Sequence, residues 1–118
     1  MYGEVVLMEA VLDHLGEFEQ LVLLALLRLG ENAYGVTVRH EIEKRTGRDV
    51  ALGAIYKTLA RLEEKRYISS TIGDPTPERG GRRKKFYAVE PLGVKALNYS
   101  FTALKRMSHG LGKELEAL

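Results

Sequence analysis

The sequence predicts a mainly helical fold with one small β-hairpin, and three observations carry that prediction. Apolar residues recur at three- and four-residue steps through the first 66 positions, the period of helices facing a core. After Arg66 the pattern switches to short β-branched and aromatic runs, "YISSTI" and "KKFYAV", flanking a segment that holds Pro75, Pro77, Gly80 and Gly81. From Val94 the spacing becomes a heptad: positions 94, 97, 101, 104, 111, 115 and 118 are apolar, with Ser108 in the remaining slot. A chain of 118 residues, 45% hydrophobic and 29% charged, has material for one modest core rather than two.

The elements follow in order. Val5, Met8, Leu12 and Leu15 predict a short amphipathic helix that Gly16 ends. Phe18 to about Leu29 is nearly all apolar, so it is expected to be a buried helix stopped by Gly30. In "ENAYGVTVRHEIEKRTG", Asn32 is the expected N-cap, Tyr34, Val38 and Ile42 share one face, and Gly47 is the C-terminal stop. In "LGAIYKTLARLEEKR", Leu52, Ile55, Leu59 and Leu62 form a buried stripe, while Ala54, Lys57, Thr58 and Arg61 are expected on the exposed side. The hairpin comes next; Pro91 and Gly93 then break the strand ahead of a long tail helix of about 25 residues, whose distal end Gly110 and Gly112 weaken. Three short helices followed by a hairpin is the order of a winged helix-turn-helix, in which the third helix enters a DNA major groove and the hairpin lies along the backbone or minor groove.

Charge is unevenly placed. The net charge is only +2, yet residues 1–47 hold four Lys/Arg against eight Asp/Glu, residues 48–85 hold ten against five, and residues 86–118 hold four against three. The densest stretch is "TPERGGRRKK" at the hairpin tip, where Arg79, Arg82, Arg83, Lys84 and Lys85 accompany Gly80 and Gly81. It does not match a phosphate-binding P-loop, since there is no G-x-x-x-x-G-K-[ST] and no helix starts after the glycines. A nuclear-import tag fits poorly because the cations run into a strand. Placed directly after a helix exposing Lys57 and Arg61, the loop reads as a DNA-contacting wing rather than a solvated loop, its glycines admitting a close approach and its cations neutralising phosphates. Arg61 and Lys65, four apart and like-charged, repel on a bare surface, a cost an anionic partner relieves. Tyr56, beside the cationic face, reads equally well as a partly buried aromatic or as a phosphate hydrogen-bond donor.

Other functions are argued against. His14, His40 and His109 lie in no metal-binding spacing, no Ser/His/Asp grouping stands out, and the absence of cysteine removes thiolate zinc sites and disulfides, so neither metal nor cofactor nor enzymatic activity is expected. No apolar run reaches the length of a membrane span, and the opening segment, with Glu4 and Glu9, does not read as a secretion signal, so a cytoplasmic location is expected.

The run from "LGEFEQLVLLALLRLGENAYG" through "GAIYKTLARLEEKRYI", followed by "PTPERGGRRKKFYAVEPLGVKAL", resembles the PadR family of transcriptional regulators in its short subgroup. The likeness spans about Leu15 to Leu97, and its most specific pieces are "AYG", "GAIYKTLARLEEK" and "ERGGRRKKFY". The resemblance implies a winged helix-turn-helix homodimer that represses transcription at palindromic operators, and, as in several members, release of the DNA when a small, often aromatic or drug-like, effector binds near the dimer interface. It makes the helix with Gly53 to Arg66 the recognition helix and "ERGGRRKK" the wing tip. Two positions depart from the family pattern: Ala51 stands where Ser usually caps the recognition helix, and Arg66 stands where Gly usually follows "EEK", so a non-glycine is expected to take a C-cap conformation.

The expected organisation is an N-terminal helix over 1–14, a winged helix-turn-helix domain over 15–90 and a C-terminal dimerisation helix over 91–118. The candidate DNA-binding residues are Tyr34, Ala54, Tyr56, Lys57, Thr58, Arg61, Arg79, Gly80, Gly81, Arg82, Arg83, Lys84 and Lys85. The candidate dimer interface is Val94, Leu97, Phe101, Leu104, Ser108, Leu111, Leu115 and Leu118, with Ser108 either a lost packing contact or one wall of a ligand gap. The competing reading is a winged-helix module that binds a protein partner and touches double-stranded DNA only weakly.

Overall fold

The computed structural model describes Leu12 and residues 14–73 and 83–116. Five α-helices and one hairpin follow each other: α1 (Glu17–Leu29), a 3-10 turn (Gly30–Asn32), α2 (Gly35–Thr46), α3 (Leu52–Glu64), β1 (Ile68–Ile72), β2 (Lys85–Val89), α4 (Pro91–Ser108) and α5 (Gly112–Glu116). The strands pair antiparallel, with Ile68 opposite Val89 and Ile72 opposite Lys85. Among the described residues the fold is mainly helical with a two-stranded hairpin, the winged helix-turn-helix order.

One core joins these elements. Val22, Leu23, Ala25 and Leu26 of α1 meet Val38 and Ile42 of α2 and Ile55, Leu59 and Leu62 of α3. Tyr67, Ile68 and Tyr87 cover it from the hairpin, and Ala96 and Leu97 from α4. α1 is less enclosed than its apolar run suggests: Leu24 and Leu27 stay exposed because twelve consecutive near-apolar positions exceed the one face the core covers.

The helix ends show local chemistry at work. Gly30 and Gly47 end α1 and α2 at φ 57° and 72°, the left-handed conformations glycine adopts without strain. Asn32 is not the cap of α2; it lies in the 3-10 turn, and Tyr34 takes the cap position. Thr37 does the capping instead, its Oγ1 accepting the Tyr34 N–H at 3.0 Å and donating to the Asn32 carbonyl at 2.6 Å. The first turn of α3 has no side-chain cap, as Ala51 predicts. Arg66 sits at φ 63°, so the non-glycine C-cap expected there is present. It lets the Tyr67 N–H reach the Leu62 carbonyl at 3.0 Å and turns the chain into β1.

One expected helix lies largely outside the described residues, and another is corrected. Of the N-terminal helix over Val5 to Leu15, most lies outside the described residues, and Leu12 and residues 14–16 are not helical. Leu15 is buried there in the core, and its N–H donates to Ser100 Oγ on α4 at 2.9 Å. The single tail helix is in fact two: α4 starts earlier, with Pro91 in its first turn, and ends at Ser108, while Gly110 at φ 83° separates it from α5. α4 needs Gly93, because a Cβ there would run into the Tyr67 carbonyl oxygen; that oxygen also accepts the Glu90 N–H at 2.9 Å.

The left-handed backbone at Arg66 costs about 1–2 kcal/mol relative to glycine, and the extra freedom glycine has in the unfolded chain returns part of it. Arg66→Gly is therefore expected to stabilise the fold by a net of about 0.5 kcal/mol. Urea unfolding measures this; a lower midpoint in the variant would contradict the strain at this turn.

Candidate nucleic-acid interface

Packing decides which side of α3 is free. Ile55, Leu59 and Leu62 are fully buried, so Gly53, Ala54, Tyr56, Lys57, Ala60 and Arg61 face outward. Thr58 does not: it is 6% exposed and belongs to the core side. Four residues advance a helix by about 40° beyond a full turn, which sets Thr58 beside Leu62 rather than beside Lys57. The outward stripe is thus Ala54, Lys57 and Arg61 with Tyr56 at its edge.

Tyr56 is 47% exposed and lies over the start of α2. A Cβ built on Gly35 would be 2.5 Å from the Tyr56 ring and hydroxyl, so only glycine lets the tyrosine rest there. This contact joins "AYG" to "IYK" and gives both motifs one physical purpose. A pocket of about 280 Å³ opens at the junction, lined by Tyr34, Gly35, Val36, Tyr56, Arg83, Lys84 and Lys85. Its floor is the N-terminus of α2, whose first amides carry partial positive charge. Its walls are cations. Lys84 Nζ sits 3.4 Å from the Tyr34 hydroxyl and 4.5 Å from the centre of that ring, and Tyr34 meets Phe86 edge-on at 5.5 Å. Tyr34 is thereby a half-buried cap residue rather than part of the Val38–Ile42 core stripe.

The hairpin is held at a definite angle to α3. The Tyr87 N–H donates to the Ala33 carbonyl at 2.9 Å, tying β2 to the turn before α2. Glu63 of α3 accepts a hydrogen bond from Ser70 Oγ of β1, and its other oxygen lies 3.4 Å from Lys85 Nζ of β2. The Ser70 hydrogen bond, with Lys85 beside it, holds the Glu63 carboxyl below its ordinary value of 4.5. Arg83 is exposed at the base of the loop. Arg79, Gly80, Gly81 and Arg82 lie outside the described residues.

The repulsion expected between Arg61 and Lys65 is answered within the chain. Lys65 Nζ is 3.5 Å from Glu19 Oε2 of α1, while Glu19 Oε1 accepts the Gly16 N–H at 2.9 Å. A long-range ion pair of this kind was not legible from helix spacing.

On α4 the heptad merges two different stripes. Gly93, Ala96, Leu97 and Ser100 face the domain core, and Leu97 is only 7% exposed, so it is committed to its own chain rather than available to another. Val94, Phe101, Leu104 and Met107 lie outward, with Leu104 60% exposed, and Leu111 and Leu115 are exposed beyond the Gly110 break. Ser108 is the last residue of α4, exposed, its hydroxyl donating to the Lys105 carbonyl at 3.2 Å. Leu118 lies outside the described residues. Among the described residues no cluster of His, Asp and Glu could hold a metal, and no helix is long and apolar enough to cross a membrane.

Comparison with known proteins settles what this arrangement belongs to. The family model described as the transcriptional regulator PadR-like family matches residues 23–99, from the middle of α1 to the middle of α4. The chain belongs to the PadR-like family. Among solved structures, it is similar to a PadR family transcription regulator from Clostridium difficile, with 21% identity and a TM-score of 0.68 over 85% of this chain and 99% of that one. A PadR-like transcriptional regulator from Bacillus cereus is 21% identical, with a TM-score of 0.66 over 83% and 90% of the two chains. A PadR family transcriptional regulator from Eggerthella lenta is 24% identical, with a TM-score of 0.64 over 99% and 97%. No curated protein sequence matches the chain. At these identities the solved PadR structures establish the shared fold.

Because Tyr56 is half exposed, its ring can swing aside when crowded. Gly35→Ala is therefore expected to change stability by no more than about 1 kcal/mol while expelling the Tyr56 ring from α2. Proton NMR checks it: contacts between the Tyr56 ring and residues 35–36 should vanish, and their survival would show that the glycine is not what admits the ring.

Proposed function

We propose that this PadR-like protein is a homodimeric, sequence-specific DNA-binding repressor acting at palindromic operators. The observation that carries the proposal is the continuity of one cationic surface, running from Lys57 and Arg61 on α3 through the Tyr34–Tyr56 pocket at the start of α2 to Arg83 and Lys84 at the wing. In this reading Lys57 and Arg61 offer donors to guanine O6 and N7, and Ala54 makes apolar contact in the groove. Tyr34, Tyr56, Arg83 and Lys84 contact backbone phosphates around the α2 N-terminus, with Arg79, Gly80, Gly81 and Arg82 continuing the contact along the wing. The division of labour is the usual one: phosphate contacts supply affinity and register, base contacts supply discrimination.

α4, whose inner face closes the domain core, serves as the dimerisation element by its outer face. Its outward residues Val94, Phe101, Leu104 and Met107, continued by Leu111 and Leu115, form an apolar face that a second copy would cover. A two-fold pair would set its recognition helices about 34 Å apart, one turn of DNA. A small aromatic effector has a suitable place beside that helix, in a cleft of about 410 Å³ whose lining includes Leu12, His14, Tyr99 and Arg106. His14 and Tyr99 already lie ring to ring there, with centroids 4.9 Å apart.

Binding to duplex DNA is expected to weaken with salt at about 0.9 log units per log unit for each phosphate neutralised, and Arg83→Ala should flatten the slope by about that amount on every sequence. Arg61→Ala should instead relax preference at particular positions, by about 1–3 kcal/mol per base pair read. Selection from a random duplex pool followed by salt titration measures both; an unchanged slope together with an unchanged preferred sequence would remove this surface from DNA binding.

Leu104→Asp places a charge in the outward face of α4, where the chain's own core does not reach. A folded monomer that no longer binds the palindrome is the expected result, read by light scattering and circular dichroism. A dimer with normal operator binding would place the interface elsewhere.

A further inference from the structure

Glu63 stands at an unusual junction for an acidic residue on a cationic surface. From α3 it contacts both strands of the hairpin: Ser70 Oγ donates to Oε2 at 2.5 Å, and Lys85 Nζ is 3.4 Å from Oε1. In the strand register Ser70 faces Tyr87 and Ile72 faces Lys85, with the Thr71–Phe86 pair between them, so the carboxylate spans two pairs on one face of the ladder. Lys85 and Tyr87 share one strand face, which turns towards α3, and Lys85 Nζ lies 5.7 Å from the Tyr87 ring centre. Lys84, one residue earlier, points to the other side and meets Tyr34. Both lysines line the pocket at the start of α2, but Lys84 is held on Tyr34 and Lys85 on Glu63.

We propose that Glu63 is a positioning residue for the wing: its carboxylate bridges Ser70 and Lys85, sets the angle of the hairpin on α3, and withholds Lys85 from phosphate contact. The proposal rests on reading α3 and the wing as the duplex-facing surface. Two consequences follow. The wing approaches the backbone at an angle tied to the recognition helix, so phosphate register and base register are coupled. The charge of Lys85, being answered by Glu63, adds nothing to the counterions released on binding. Removing the carboxylate frees that ammonium and converts an internal ion pair into an indiscriminate phosphate contact. Glu63 therefore acts on specificity, by limiting how much of the loop's charge is spent on any duplex.

The test is a cycle of Glu63→Gln, Lys85→Gln and the double variant in the full-length protein, with affinities for a selected duplex and a scrambled one measured across a salt series. Glu63→Gln keeps the shape and an acceptor for Ser70 and removes only the charge. The expected result is that Lys85→Gln leaves the salt slope at the wild-type value, Glu63→Gln steepens it by about 0.9, and the double variant returns it to wild type. Glu63→Gln should also narrow the ratio of selected to scrambled affinity by strengthening the latter. A purely structural role moves stability and affinity without steepening the slope. A flatter slope in Lys85→Gln, or an unchanged one in Glu63→Gln, overturns the proposal. Amide hydrogen exchange on the free protein supplies a readout that needs no DNA: Glu63→Gln should speed exchange along β1 and β2 and leave α1 and α2 unchanged. Faster exchange at the hairpin in a protein that binds no duplex would sink the interface reading and leave the clamp standing, whereas unmoved exchange sinks the clamp itself.

Discussion

The rotation of α3 about its own axis is the constraint on which the rest of the site depends. Ile55, Leu59 and Leu62 have no exposed surface, and burying three such side chains contributes on the order of 1.5–3 kcal/mol each relative to leaving them in water. A turn of the helix by even 40° would expose one of them, so the register is strongly held. Every functional placement follows from that register. Lys57 and Arg61 face solvent, Tyr56 comes to rest on the start of α2, Glu63 reaches the hairpin, and Thr58 is drawn inward.

The hairpin depends on the same packing at one remove. Tyr67 and Ile68 are buried against the core, and the left-handed turn at Arg66 delivers them there directly from the end of α3. β2 is then fixed by the Tyr87–Ala33 backbone bond, and α4 by the Tyr67 carbonyl beneath Gly93. Of the described cations at the wing, Lys84 and Lys85 are consequently carried by a scaffold. This is the physical difference between a loop that merely bears charge and a surface whose charges have fixed spacing, as recognition of a regular polyanion requires.

Periodicity and glycine placement made most of this architecture legible. The helix stops at Gly30 and Gly47 and the two strands could be read from local patterns, because each is decided within a few residues of itself, whereas the uncapped α3 and the turn at Arg66 were expected from the resemblance to the PadR family pattern. What escaped was decided at long range or by a competition between faces. Thr58 carries a hydroxyl suited to an exposed face, yet its helical angle sets it on the core side with Leu62. The heptad after Val94 joined a core-facing stripe to an outward one, since spacing alone does not reveal that α4 packs against α1 through Ala96 and Leu97. The cap of α2 went to Asn32 because the Thr37 hydroxyl, which reaches back to both Tyr34 and Asn32, leaves little trace in sequence. The pairing of Gly35 with Tyr56 links residues far apart along the chain, and the signal that could have found it was the glycine itself at the first helical position after "AY". The two partners of Glu63 lie on strands that local pattern cannot align with it.

The measurement that tests this account most directly is an amide NMR titration of the protein with a selected duplex. The account predicts saturable shifts concentrated at Gly35, Val36, Tyr56, Lys57, Arg61, Arg83 and Lys84, with the outward face of α4 unaffected by the added DNA. Shifts confined to α4 and α5, or no saturable shift at low salt, would contradict it.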